Sequence, residues 1–471
     1  MATPRKRLLV ISYRCPPEPY PLAIRVRYFL EHLSKDWDID VLTAAEAPEV
    51  PKTVQVHRVP PAGPMGALDW LRSNRLGRIA DFLAWPDPYL FWVWPALRRA
   101  RALIAERPPD AIVLFMMPFS TGLLGLLLKR LTGLPLIFNL NDSITCSDMN
   151  PTYPSWVHRR GAQALEDAFA RSADALVYVS ARNLRRVRDR QRPADRHKFH
   201  LIRRGARPMP EPPPQSNHVF RIVYTGGMSG WYPLLDAAHS PSLLKRLYRR
   251  WTRLGQHAVT TLDHRTHSPV FVGHAVKQVL DAHPDWRGRI RVDIYGNTFP
   301  DTLIEEVLKT EGLRDIVHVH GRLPHAQSLE RTVSSHLLFL TLPDRPDGTP
   351  GGRISAKTYE YLMTDRPILA AVPPGENQDY LRDKPGVYLA APHDIDAMAA
   401  VIEPLAAQTF AQAPPRVNRT SLHPSLHFEA RAEAFDAVLR DTLGMSTRSP
   451  EESNQNQPSA PSLSFPASGP A

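Results

Sequence analysis

The sequence predicts an α/β protein of two doubly wound, parallel-sheet domains facing each other across a central cleft. Short apolar runs bounded by Gly, Pro or Asp alternate with helical stretches, as in a sheet covered on both faces. The alternation halts between residues 205 and 217, where five prolines interrupt it. It then restarts and repeats to about residue 405, so the chain carries two such units rather than one.

In the first unit, Arg7 to Ser12 reads as a buried strand closed by Cys15-Pro16-Pro17. A helix follows, with Ile24, Phe29, Leu30 and Leu33 on one face. Strands are expected at residues 39–43, 54–59, 111–115, 135–140 and 175–179. Helices are expected at 94–104, 122–131 and 162–170. In the second unit the strands fall at 220–224, 290–295, 316–319, 337–342 and 367–372, several ending in glycine. The boundaries are a first domain 1–205, a linker 206–217 and a second domain 218–420. A terminal helix lies within 421–445, and a Ser-, Pro- and Gln-rich tail, 446–471, is expected to be disordered.

Composition excludes several classes. Of 471 residues, 43% are hydrophobic and 8% aromatic, enough for sizeable cores. Lys and Arg outnumber Asp and Glu by 58 to 47, which favours anionic partners without choosing among them. Cys15 and Cys146 are the only cysteines, too few for a disulfide framework or a structural zinc site. The apolar run Leu8 to Ile11 is too short for a signal-peptide core, and Lys129 and Arg130 interrupt the most apolar stretch. A spanning helix needs roughly 20 apolar residues, so a soluble cytoplasmic chain is expected. The histidines are scattered without a convergent ligand set, and Gly-x-Ser-x-Gly, Walker and His-Glu-x-x-His motifs are absent. No nucleic-acid-binding module is present. Trp85, Trp92 and Trp94 cluster with Tyr89 and Phe91 and read as core or as the wall of an acceptor groove, with interfacial membrane anchoring as the further alternative.

Residues 228–267 form an insertion in the second domain. Within it Leu243, Leu244, Leu247, Tyr248, Trp251 and Leu254 share one helical face, and Lys245, Arg246, Arg249, Arg250 and Arg253 the other. Ser240-Pro241 supplies a start and Gly255 a stop. Such a helix can lie on an anionic bilayer at the inner face of the plasma membrane, or pack on the body as a lid.

The strongest chemical signal is the stretch Gly348 to Pro367. A glycine-rich loop, Gly351-Gly352-Arg353-Ile354-Ser355, runs straight into a helix bearing Lys357 and Glu360. Free backbone N–H groups at such a junction suit a diphosphate. Lys357 adds a point charge, and Glu360 can accept hydrogen bonds from ribose or sugar hydroxyls. An ordinary capped surface loop is the plainer alternative.

Lys357-Thr-Tyr-Glu360-Tyr-Leu-Met-Thr-Asp-Arg-Pro367-Ile-Leu resembles the donor-site helix of GT-B glycosyltransferases, in particular glycosyltransferase family 4 as found in surface-polysaccharide assembly. Ile11 to Arg25, Phe119 to Arg130, Asn139 to Asp142, Tyr224 to Gly227 and Val319 to Arg322 are similar to further family segments, in the family's order. The resemblance implies a GT-B fold of two Rossmann-like domains, an acceptor domain first and a nucleotide-sugar domain second. It implies that Glu360 holds the donor ribose and that amides from Gly351 to Ser355, with Arg353 and Lys357 nearby, meet the diphosphate. Gly226 and Gly227 would allow close approach, Arg322 would border the base pocket, and Arg25 and Asp142 would serve the acceptor. Asp142 would orient or deprotonate its hydroxyl.

Three departures stand out. Gly352 occupies the position of the family's first Glu, Tyr20-Pro21-Leu22 replaces a glycine pair, and the insertion displaces the basic phosphate contacts. That leaves Arg265 or His267 as replacements. The expectation is a retaining, metal-independent transfer from a nucleoside-diphosphate sugar to a lipid-linked or growing glycan, with no cofactor. A nucleotide-sugar 2-epimerase of the same layout and a catalytically silent relative that only binds are the alternatives.

Overall fold

The computed structural model describes residues 5–18, 20–45, 49–215, 217–238 and 243–445, with the backbone alone at 236–238, 245 and 249. The tail 446–471 and the Ser240-Pro241 helix start therefore lie outside the described residues, as do the side chains of Lys245 and Arg249.

The strands, in chain order, are β1 Arg7–Ser12, β2 Asp38–Thr43, β3 Gln55–Arg58, β4 Ala111–Met116, β5 Leu136–Leu140, β6 Thr152–Tyr153, β7 Ala175–Tyr178 and β8 Phe199–Leu201. The second half adds β9 Phe220–Thr225, β10 His257–Ala258, β11 Ile290–Asn297, β12 Val317–Gly321, β13 Leu337–Thr341, β14 Ile368–Ala371 and β15 Val387–Ala390. Two parallel sheets result, ordered β3-β2-β1-β4-β5-β7-β8 and β12-β11-β9-β13-β14-β15. The apolar runs of β1, β4, β5 and β13 are buried along their whole length, as central parallel strands covered on both faces must be. The expected two Rossmann-like units are thus present. The first strand of each sheet is flanked by that sheet's next strand in the chain on one side and a later one on the other, β2 and β4 about β1 and β11 and β13 about β9, so strand order reverses at β1/β4 and at β9/β13. Crevices at such reversals are where open α/β sheets bind ligands.

The helices Pro21–Leu33, Val93–Glu106, Ser120–Thr132 and Trp156–Ser172 match the periodicity and extend beyond it at one or both ends. The sequence reading left residues 60–84 without elements. The structure forms two short helices there, Met65–Ser73 and Gly77–Leu83, in which Leu68 and Ala80 are the buried residues. With so little of either helix turned inward, no core-facing stripe announces them.

The last helix, Phe428–Thr442, returns to the first domain. Ala432, Phe435 and Leu439 are buried among Phe29, Leu33 and Phe115, with Phe435 5.2 Å from Phe29 and 6.1 Å from Phe115 between ring centroids. Trp37 Nε1 donates to Asp436 Oδ1 at 2.6 Å. No described helix is long and apolar enough to cross a membrane.

Phe435→Ala should cost roughly 3–5 kcal/mol, the usual range for emptying a packed aromatic site. A lowered thermal unfolding midpoint is the expected readout, whereas the exposed Glu433→Ala on the same helix should leave it unchanged.

Candidate functional site

Two strand ends and one helix meet at the floor of the second domain. Gly226 and Gly296, which follow Thr225 and Tyr295, have φ of +129° and +109°. A Cβ on Gly226 would lie 2.5 Å from Lys357 Cε, and one on Gly296 2.9 Å from Gly226 Cα. Only glycines permit this approach. Gly227 is exposed beside them, and its carbonyl accepts from Tyr224 Oη at 3.2 Å.

Lys357 Nζ sits 4.8 Å from the centre of the Tyr224 ring. Burial lowers its pKa to about 8, with Glu360 opposing the shift and Arg353 adding to it. One turn on, Glu360 Oε1 lies 3.0 Å from His325 Nε2. The sequence reading missed His325, since no motif links it to Glu360 and only the return of the chain between β12 and β13 joins them. Arg322 is exposed just beyond the end of β12.

The glycine-rich loop is already engaged by protein groups. The N–H groups of Gly352 and Arg353 donate to Asp148 Oδ2 at 2.7 and 3.1 Å. The Ser355 N–H donates to Asn377 Oδ1 at 2.9 Å and that of Gly351 to the Pro374 carbonyl at 3.1 Å. Asp148 belongs to the first domain, and its other oxygen accepts from the buried Arg345 at 2.7 Å. A carboxylate therefore occupies part of the amide cradle that the sequence assigned to a diphosphate. At Gly352, where the family carries its first Glu, a Cβ would lie 2.5 Å from Asn183 Oδ1, again from the first domain.

A cavity of about 190 Å³ opens between the domains, with Tyr20, Asp142 and Arg204 on one wall and Arg353, Ala356 and Tyr359 on the other. Asp142 is carried there by the end of β5. Burial raises its pKa, partly offset by Arg353 and Arg204. Burial likewise lowers that of Arg204, against the pull of Glu360 and Asp142. Arg204, Arg353 and Lys357 thus face Asp142 and Glu360, a balance that favours an anionic ligand.

Several expectations are corrected. Arg25 is not in the cleft: it is fully buried and donates to the carbonyls of Ile202 and Arg203 at 3.3 Å each, tying its helix to the end of the first domain. Arg265 is held by Asp263 at 2.7 Å. His267 lines a neighbouring cavity of about 230 Å³, but burial lowers its pKa to about 3, leaving it neutral, with Ser229 Oγ 2.8 Å from its Nδ1. Neither lines the cavity that holds Asp142, whereas Arg204 does. Among the aromatic cluster, Trp92 is core and donates to the Val59 carbonyl, Tyr89 lines a groove, and Phe91 and Trp94 are exposed.

The Lys357 ammonium is charged below about pH 8 and neutral above it. Affinity for a nucleoside diphosphate, measured by calorimetry, should fall as pH rises through 8. Lys357→Gln should weaken binding and flatten that profile. Gly226→Ala, strained at positive φ and pressing on Lys357, should abolish nucleotide binding while the protein remains folded by circular dichroism.

Residues 22–205 match the family described as glycosyl transferase 4-like domain. Among curated proteins, none matches the sequence. Sucrose-phosphate synthase from Thermosynechococcus elongatus has a similar structure, at 14% identity and a TM-score of 0.60 over 94% of this chain and 100% of that one. HepE of Anabaena, solved with UDP and glucose, aligns at 13% identity and 0.55 over 92% and 99%. A UDP-forming α,α-trehalose-phosphate synthase from Burkholderia xenovorans aligns at 15% and 0.55 over 93% and 99%. At these identities the likeness establishes the fold over nearly the whole chain. Residues 22–205 thus carry a glycosyl transferase 4-like domain, and the two-sheet architecture shares the fold of these structures over nearly the whole chain.

Proposed function

We propose that the chain transfers a glycosyl group from a nucleoside-diphosphate sugar to an acceptor hydroxyl in the interdomain cleft. The observation that carries this is the meeting of Arg204 and Arg353 with Asp142 around one cavity, with Glu360 and Lys357 close enough to couple electrostatically to these arginines. HepE, whose structures hold UDP and UDP-glucose, and the UDP-forming synthase support a nucleotide-sugar donor.

Glu360 accepts hydrogen bonds from the donor ribose, oriented by His325, and Gly226 and Gly227 admit the nucleotide against the strand ends. Lys357, Arg353 and Arg204 stabilise negative charge as the bond from the anomeric carbon to the diphosphate oxygen breaks. The acceptor oxygen bonds to that carbon from the face the diphosphate leaves, so configuration is retained. Its proton passes to Asp142 or to the departing diphosphate. These side-chain cations supply the charge stabilisation that a metal would otherwise give. The acceptor is a lipid-linked or growing glycan at the cytoplasmic face of a membrane, a choice supported by the exposed basic helix of the insertion.

A second reading, a silent relative that binds without turnover, is favoured by Asp148 on the loop amides and by Asn183 filling the place of the first Glu.

The test is nucleoside-diphosphate release from a panel of UDP-, GDP- and dTDP-sugars, with membrane extract as acceptor source. Release should require extract, and kcat/KM should fall roughly 10- to 100-fold in Glu360→Ala, the loss of a hydrogen bond to a charged group. Free epimer without extract would indicate the 2-epimerase instead. Donor binding without turnover, across a panel containing a competent acceptor, would establish the silent relative.

A further inference from the structure

The insertion helix Leu243–Arg253 does not pack its apolar face on the body. Leu243, Leu244 and Leu254 are 68%, 79% and 65% exposed, and Leu247 and Trp251 are exposed as well. Its basic residues Arg246, Arg250 and Arg253 are also exposed. The helix is nevertheless held in place against the first domain. Arg78 Nη1 donates to the Trp251 carbonyl at 2.8 Å and its guanidinium lies 6.0 Å from the Trp251 ring, while Tyr248 Oη donates to the Arg75 carbonyl. β10, just after the helix, pairs antiparallel with β6 of the first domain.

The first-domain helices that receive it present apolar residues of their own. Trp70, Ile79, Phe82 and Leu83 are exposed on Met65–Ser73 and Gly77–Leu83. Phe82 packs on His158, whose helix begins with the exposed Trp156 and Val157. Exposed apolar residues therefore stand on both domains, on elements that touch one another. Cations border this apolar face: Arg75 and Arg160 are exposed, and Arg72 stands between the carboxylates of Asp69 and Asp81, at 3.6 and 3.2 Å. Apolar side chains fringed by arginines complement an anionic bilayer, where acyl chains accept the former and headgroup phosphates the latter.

The same helices form a wall of the acceptor-side groove. Arg72, Asp81 and Ala84 line a cavity of about 390 Å³ with Tyr89, and this cavity shares Tyr20 and Met117 with the one that holds Asp142. The two cavities therefore adjoin, the outer one bordered by the helices that carry the apolar face.

We propose that this two-domain face docks on an anionic lipid bilayer and admits a lipid-linked acceptor through the Arg72–Tyr89 groove. The acceptor rests on the transferase function proposed above, whereas the bilayer contact does not.

Flotation of the full chain with phosphatidylcholine vesicles, with and without phosphatidylglycerol, tests the contact without any donor. Binding should need the anionic lipid. It should weaken more than about tenfold both in Leu244→Glu/Leu247→Glu and in Trp70→Glu/Leu83→Glu, since each removes part of one face. Nucleoside-diphosphate affinity, measured without vesicles, should stay as in the parent protein for both variants, and light scattering should give a monomer. If only the insertion variant loses binding, the two-domain face is overturned. Absence of vesicle binding overturns the proposal, and self-association abolished by these substitutions would assign the face to a second copy. Where transfer is assayed, the variants should lose turnover on vesicle-embedded acceptor but keep it on detergent-dispersed acceptor. Equal loss on both would overturn the groove as the entry path, and no turnover in the parent protein would sink the transferase reading while leaving the flotation result standing.

Discussion

The geometry of the cleft depends on carboxylates of each domain taking up backbone N–H groups of the other. Glu376, from the second domain, accepts from Ser180 Oγ and from the N–H groups of Ala181 and Arg182 at 2.5–2.7 Å, and from Arg203 at 2.7 Å. It thereby caps the helix Ala181–Arg188 at the end where unsatisfied donors and the positive dipole meet. Asp148 makes the reciprocal contact on Gly352 and Arg353. Buried polar groups are costly when unpaired, so each domain completes the hydrogen bonding of the other and the cavity between them keeps a defined width.

This reciprocal arrangement also sets the chemistry. The loops bearing Gly351 and Gly375 touch backbone to backbone, with Gly375 at φ +143° and the Glu376 N–H donating to the Gly351 carbonyl at 2.9 Å. Glu376 thus couples the interdomain cap to the glycine-rich loop, and the loop positions Arg353 opposite Asp142. Asp148 on the loop amides is an internal anion in the electropositive region, so a bound diphosphate and this contact draw on the same donors. The depressed pKa of Lys357 and the raised one of Asp142 share a cause, burial in a cleft walled by both domains.

Much of the fold was legible in the residues. β1, β4, β5 and β13 are continuous apolar runs, and such runs between helical stretches have few arrangements other than parallel, covered sheets. The glycine-rich loop and the pair Gly226-Gly227 were legible for a related reason, since close backbone approach restricts the residue type. Residues whose environment comes from distant chain were not. Arg25 looked available for an acceptor, yet its guanidinium is spent on carbonyls nearly two hundred positions away. His267 looked like a phosphate cation, yet its surroundings leave it uncharged. The helices at 65–83 were invisible because an amphipathic stripe marks a helix only when its apolar side turns to the core.

By itself the sequence determined the α/β alternation, the break between two units, the amphipathic helix of the insertion and the residue types at the donor loop. Each of these follows from local spacing, backbone freedom or composition. Tertiary structure alone decided which amides remain for a ligand, which cations are charged and facing the cleft, and whether the insertion helix covers the body or leaves its apolar side open. Those outcomes turn on burial and on partners from the other domain, which no window of sequence contains.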